Sequence, residues 1–124
     1  IDKNTIVYLH LNYVLRAVMN MMQNALEYSA ADKKAIKVDL QYAHQQLVIS
    51  IWNNGAHLTD ETLQHADSLF YRKDKNRNLN DAHFGIGLAF VKRVSELHHG
   101  TLEIKNEDDG VKVTISVYTG KNKR

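Results

Sequence analysis

The stretch AIKVDLQYAHQQLVISIWNNGAH, residues 35–57, decides how the chain folds. Ile36, Val38 and Leu40 alternate with polar residues, and Leu47, Ile49 and Ile51 fall on every second position of LVISIW. A period of two puts each trio on one face of a strand, and the polar AHQQ between them turns the chain back, so the stretch predicts a β-hairpin. The second strand stops at Asn53-Asn54-Gly55, residues that favour turns over ladders.

Working outward, 124 residues suffice for one domain, which buries roughly two-thirds of its unfolded surface. The composition, 44% hydrophobic and 24% charged, is that of a globular protein. With no cysteine, disulfides and thiolate metal sites are excluded, in keeping with a reducing, cytoplasmic setting. No apolar run approaches the roughly 20 residues of a membrane span. The start at Ile1 is expected of a piece of something longer. The net charge of +2 is concentrated in YRKDKNRN at 71–78 and GKNKR at 120–124. Neither offers the broad basic face with interleaved aromatics of a nucleic-acid binder, so no nucleic acid is expected.

On the N-terminal side, TIVYLHL at 5–11 reads as a short strand and Asn12 as a helix cap. From Tyr13 to about Ser29, Val14, Leu15, Val18, Met21, Met22, Ala25 and Leu26 mark an amphipathic helix. On the C-terminal side a short helix capped at Thr59 leads into a loop. GIGLAFVKRVSELHHG then reads as glycines opening a helix, with Leu88, Val91, Val94, Ser95 and Leu97 as its buried stripe and Gly100 as its stop. The final two strands meet at Asp109-Gly110, a hairpin turn signal. The order predicts a two-layer α/β (α+β) sandwich, a mixed and mostly antiparallel sheet covered on one face by helices, in a single domain over 1–124.

Two features carry chemistry. Gly85-Ile86-Gly87 at a helix mouth is either a tight turn or a place where backbone N–H groups meet a phosphate. Asn20 and Asn24, four apart, share one face of the long helix although asparagine is unfavourable inside helices. They are a solvated face, a buried hydrogen-bonding pair, or oxygen donors to a hard cation such as Mg2+.

In order, MNMMQNALEYS (19–29), WNNGAHL (52–58), SLFYRKDKNR (68–77) and FGIGLAFVKRVSELHHGTLEI (84–104) resemble the N, G1, F and G2 boxes of the catalytic ATP-binding domain of sensor histidine kinases. That domain belongs to the ATPase superfamily shared with gyrase, the Hsp90 chaperones and MutL. The resemblance covers essentially the whole chain and implies ATP and Mg2+ as ligands beneath a lid loop at about 71–84. It makes Asn24 the Mg2+ ligand, with Asn20 facing the phosphates and Tyr28 against the nucleotide. Phe70 matches the F-box aromatic, Lys75 and Arg77 reach the γ-phosphate during transfer, and Gly85, Ile86, Gly87 and Leu88 line the phosphate side. In the G1 box, Asn53 stands where the family has an adenine-binding aspartate, Gly55 is the first glycine, and His57 replaces the second. An amide oxygen still accepts from adenine's amine, but its NH2 end could instead meet guanine's carbonyl.

The resemblance further implies a phosphoacceptor-histidine domain on the same protein, a response regulator downstream, and a parent that is a membrane-anchored homodimer with this domain cytoplasmic and itself monomeric. Two alternatives are an anti-sigma-type serine kinase and a degenerate nucleotide-site module used for protein contacts.

Overall fold

The computed structural model describes residues 6–30, 32–65 and 79–120, with backbone alone at His65 and over 79–86. Helix α1 (Leu11–Tyr28) is followed by β1 (Ile36–Ala43), β2 (Gln46–Asn54), α2 (Asp60–His65), α3 (Leu79–Leu97), β3 (Leu102–Glu107) and β4 (Gly110–Tyr118). The four strands form one sheet in the order β1-β2-β4-β3. Every described pairing is antiparallel, in a sheet expected to be mixed and mostly antiparallel.

The predicted hairpin forms with Leu40 opposite Ile49 and Val38 opposite Ile51. It turns through His44 and Gln45, both left-handed at φ 53° and 62°. Ile49 and Ile51 are buried together with Val111, Val113, Ile115 and Val117 of β4, beneath Val14, Ala17, Met21 and Ala25 of α1 and Leu88, Val91 and Val94 of α3. The helices sit over β2 and β4. They leave β1 at the rim, so Val38 and Leu40 point to the core side yet stay 56% and 52% exposed. On the opposite face Trp52 is covered by Lys37, whose Nζ lies 4.8 Å from the ring centroid, and donates from Nε1 to the Glu107 carbonyl at 2.9 Å.

Several boundaries depart from expectation. Residues 6–10 form no strand; Tyr8 donates one backbone bond to Thr119 before the helix starts. The α1 N-cap is His10, not Asn12, and no side chain caps it. Position 10 is fixed from outside, because its N–H donates to Nε2 of buried His98 at 2.9 Å, while His98 Nδ1 donates to the Val94 carbonyl at 2.9 Å. Leu15, Leu26 and Leu97 are about half exposed, on helix flanks that no described strand covers. The expected cap of α2 is present, with Thr59 Oγ1 accepting from Thr62 N–H at 3.1 Å.

Helix α3 begins six residues before Gly85, so the glycines lie inside it and its first turns overlap the end of the expected lid. Two helical glycines cost about 1 kcal/mol each relative to alanine. The α3 terminus is a Schellman motif: Gly100 N–H donates to Ser95 O at 2.7 Å and His99 N–H to Glu96 O at 3.0 Å. The left-handed residue is His99, at φ 56°, rather than Gly100. In the β3–β4 turn it is Asp108, at φ 55°, one residue before the predicted pair. Gly110 already belongs to β4, where a Cβ would collide with the Asn53 carbonyl oxygen.

Candidate functional site

Helices α1 and α3 run antiparallel, with Arg16 over the Phe90 ring at 5.1 Å and Asn20 and Asn24 beside Gly87. Asn20 Nδ2 donates to the Gly87 carbonyl at 3.4 Å. Asn24 is 4% exposed, and its Nδ2 has no hydrogen-bond partner among the described residues. A Cβ on Gly87 would lie 3.3 Å from that nitrogen, so glycine is what leaves room for the carboxamide. An orphaned amide in a buried position costs about 1–3 kcal/mol, a cost a protein keeps where a ligand will satisfy the group. With Nδ2 unclaimed, a half-turn of the amide sacrifices no bond there and presents Oδ1 instead. That hard oxygen is a ligand type Mg2+ accepts, and it is the one such donor the described site offers from Asn24.

The end of β2 supplies the other wall. Asn53 continues the helix-facing row of Ile49 and Ile51 and is 3% exposed. Its Nδ2 donates to the Asn54 carbonyl at 2.9 Å. Asn54 points the other way and fastens the α1–β1 connection: Oδ1 accepts from Ala35 N–H at 3.0 Å and Ala30 N–H at 3.3 Å, while Nδ2 donates to Lys33 O at 2.7 Å. Gly55, at φ 136°, passes so close to α1 that a Cβ would lie 2.5 Å from the Tyr28 carbonyl oxygen. Its N–H donates to Asp109 O at 2.9 Å.

His57 does not turn into the site; its Nε2 engages the Asp108 carbonyl at 2.7 Å. One residue on, Leu58 N–H donates to Asn106 Oδ1 at 2.9 Å and Leu58 O accepts from Asn106 Nδ2 at 3.1 Å. The loop after β2 is therefore strapped to the β3–β4 hairpin at three points. Asn54 and Asn106 are structural residues that sequence reasoning missed. The signal for Asn54 was its place between a strand end and a glycine.

The structure thus brings Asn20, Asn24 and Gly87 together, and puts Asn53, Gly55 and the half-buried Tyr28 where β2 meets the end of α1. Two expectations are corrected. Leu88 is 0% exposed within the core, so its side chain packs rather than lining a phosphate site. Gly85 and Gly87 do not open a helix, so helical bonding already engages their N–H groups. Phe70, Lys75 and Arg77 lie outside the described residues, as does most of the expected lid. The Ile86 side chain is likewise undescribed. No group of three potential metal-binding His, Cys, Asp or Glu side chains occurs among the described residues.

A sequence model described as "Histidine kinase-, DNA gyrase B-, and HSP90-like ATPase" matches residues 11–120, from the first residue of α1 to just beyond β4. The chain belongs to that ATPase family. Within it, the chain is a histidine kinase-type ATPase domain. It is 32% identical over 95 residues to the nisin biosynthesis sensor protein NisK of Lactococcus lactis subsp. lactis, covering 77% of this chain and 21% of that protein. It is 31% identical over 96 residues to the heme sensor protein HssS of Staphylococcus aureus (strain JH9), covering 77% and 20%. The chain thus spans about a fifth of the length of these relatives. In fold it is similar to the catalytic domain of histidine kinase ThkA, with a TM-score of 0.75 at 20% identity over 90% of this chain and 69% of that one. It is also similar to the mycobacterial sensor histidine kinase MprB, with a TM-score of 0.71 at 24% identity over 87% and 73%. No described helix of this ATPase domain is long and apolar enough to cross a membrane.

Proposed function

We propose that this chain is the ATP·Mg2+-binding catalytic domain of a two-component sensor histidine kinase, which donates the γ-phosphate to a histidine on a separate dimerisation and phosphoacceptor domain of the same protein. The observation that carries the reading is the buried amide nitrogen of Asn24, which has no partner among the described residues and lies beside Gly87, in a chain whose family is a nucleotide-binding ATPase. Asn24 is the residue that would hold Mg2+ through its carboxamide oxygen. When bound, the ion supplies positive charge to the phosphate oxygens. Asn20 lies on the same helix face, toward the phosphates. Asn53, Gly55 and Tyr28 hold the base side, and Phe70 is the aromatic of the F box.

Lys75 and Arg77 offset charge that develops on the transferred phosphoryl group. The parent is a membrane-anchored homodimer that passes phosphate to a response regulator, with this domain in the cytoplasm and monomeric on its own. The relatives, both described as sensor proteins, favour this over a serine kinase.

The test is phosphate transfer from labelled ATP to an added phosphoacceptor domain. Transfer is expected with the acceptor and not without it. Alanine at Lys75 or Arg77 is expected to slow transfer more than it weakens ADP binding. An equal loss of both would contradict the transfer role of those cations.

A further inference from the structure

We infer that the outer edge of β1 is a self-pairing surface, through which two copies of this chain meet antiparallel about a two-fold axis with Lys37 of each opposite Asp39 of the other. No part of the nucleotide site is involved, and the homodimeric parent proposed above would supply the second copy.

Strand β1 ends the sheet, and no described strand pairs with its outer side. Which of its groups face outward follows from the ladder on its inner side. Asn54 N–H donates to Ala35 O at 3.1 Å, so Ala35 and Asn54 are a hydrogen-bonded pair. Antiparallel ladders alternate such pairs with non-bonded ones, so Lys37, Asp39, Gln41 and Ala43 also bond to β2. The two-residue turn at His44 and Gln45, left-handed at both, closes on the Ala43–Gln46 pair and agrees with that phase. Ile36, Val38, Leu40 and Tyr42 therefore point their backbone N–H and C=O groups outward. Strand edges of soluble proteins are commonly blunted by proline, a bulge or shortness. β1 has eight residues, no proline, and stays in step with β2 throughout. On its core side it presents Val38 and Leu40, both more than half exposed.

Charge selects how a second copy fits. Only the outward-facing residues exchange bonds across the edge, so the possible registers differ by steps of two residues. One sets Lys37 against Lys37 and another sets Asp39 against Asp39, and like charges directly opposite are destabilising. The register between them sets Val38 against Val38, Ile36 against Leu40, and Lys37 against Asp39 at two symmetric places. A step beyond, Asp39 meets Gln41 and Lys37 meets Ala43, and no ion pair forms. In the single chain Lys37 lies over Trp52 and Asp39 accepts from Gln41 Nε2 at 3.1 Å, exposed contacts that a facing opposite charge replaces. The two-fold axis stands perpendicular to the sheet, so both helix layers stay on one side and the exposed apolar rows of the two copies become neighbours. A contact one strand wide is small beside the surface that stable dimers bury. The copies therefore separate at micromolar concentration and meet where tethering raises the effective concentration to millimolar.

Sedimentation and backbone amide hydrogen exchange of the chain without nucleotide, from micromolar to millimolar concentration, test this. The mean mass is expected to rise from that of a monomer towards that of a dimer. With half of the chain paired, the amides of Ile36, Val38 and Leu40 are expected to exchange about twofold more slowly, while those of Lys37 and Asp39, already bonded to β2, stay unchanged. Asp39→Lys and Lys37→Asp are each expected to remain monomeric at the same concentration. Mixed in equal amounts they are expected to pair, because each then offers the charges that the other lacks. A chain that stays monomeric at millimolar concentration, or a dimer without slowed exchange at Ile36, Val38 and Leu40, would overturn the inference. So would either variant dimerising alone, or a folded mixture that stays monomeric. The exchange pattern of the unaltered chain decides the matter whether or not the variants fold. Failure to bind ATP would count against the nucleotide-site reading and leave this inference standing.

Discussion

Asn24 and Gly87 form one packing unit, because the space that Gly87 leaves empty is the space in which the Asn24 amide nitrogen sits with no partner among the described residues. Removing the amide by Asn24→Ala relieves a buried orphan, so stability is expected to change by no more than about 1 kcal/mol. ATP binding should lose its dependence on Mg2+. Titration with and without the ion checks this, and unchanged dependence would remove Asn24 as the ligand. Gly87→Ala acts from the other side of the contact. An alanine inside a helix is worth up to about 1 kcal/mol over glycine. The variant is therefore expected to unfold at the same temperature or higher while binding ATP more weakly, because its methyl group presses on the carboxamide. Weaker ATP binding together with lower stability would mean that Gly87 is needed for packing alone. The asparagines were legible in the sequence as an unfavourable pair on a helix face. Which one is buried and unsatisfied was not, because both the solvated and the buried arrangement satisfy that spacing.

Two elements end in ways that depend on few residues. Helix α3 closes with His99 in the left-handed region, and its ring makes no described hydrogen bond. His99→Gly should therefore stabilise the fold by about 0.5–1 kcal/mol, the left-handed strain being partly offset by glycine's freedom in the unfolded chain. A thermal melt checks this, and a lower melting temperature would show that the His99 side chain has a role the Schellman geometry does not explain. The sequence pointed to Gly100 as the stop because glycine is the usual left-handed residue. It could not show that the close approach of Gly100 to Ser116 already commits that glycine. The first strand failed for a related reason. An alternating pattern at 5–11 is compatible with a strand, but the three-to-four period of α1 reaches back to Leu11, and His98 anchors His10 ahead of it. Where period and burial agree, as at Ile49, Ile51, Val91 and Val94, the reading and the structure coincide.

At the scale of the molecule, the sheet is half roofed. Helices α1 and α3 cover β2 and β4, and the candidate site lies where the C-terminal half of α1 meets α3 and the end of β2. The loop after β2 is held from two sides, by the α1–β1 connection through Asn54 and by the β3–β4 hairpin through Gly55, His57 and Leu58. The residues of NNGAH thus divide their work: Asn54, Gly55 and His57 each make a bond that fastens the loop, while the Asn53 side chain bonds only within it. That division was not readable in sequence, because it depends on which segments the fold brings beside the loop. The fold class and the ordered motifs were readable, since hydrophobic period and motif order are properties of the chain itself.

The central claim, that this ATPase domain holds ATP with Mg2+ in the site walled by Asn24, Gly87 and Asn53, is tested most directly by calorimetric titration of the folded chain with ATP, with and without Mg2+. The account predicts saturable binding that Mg2+ strengthens, accompanied by a rise in melting temperature as ligand stabilises the folded state. A well-folded chain that binds no ATP under either condition would contradict it and leave the domain as a degenerate module used for protein contacts.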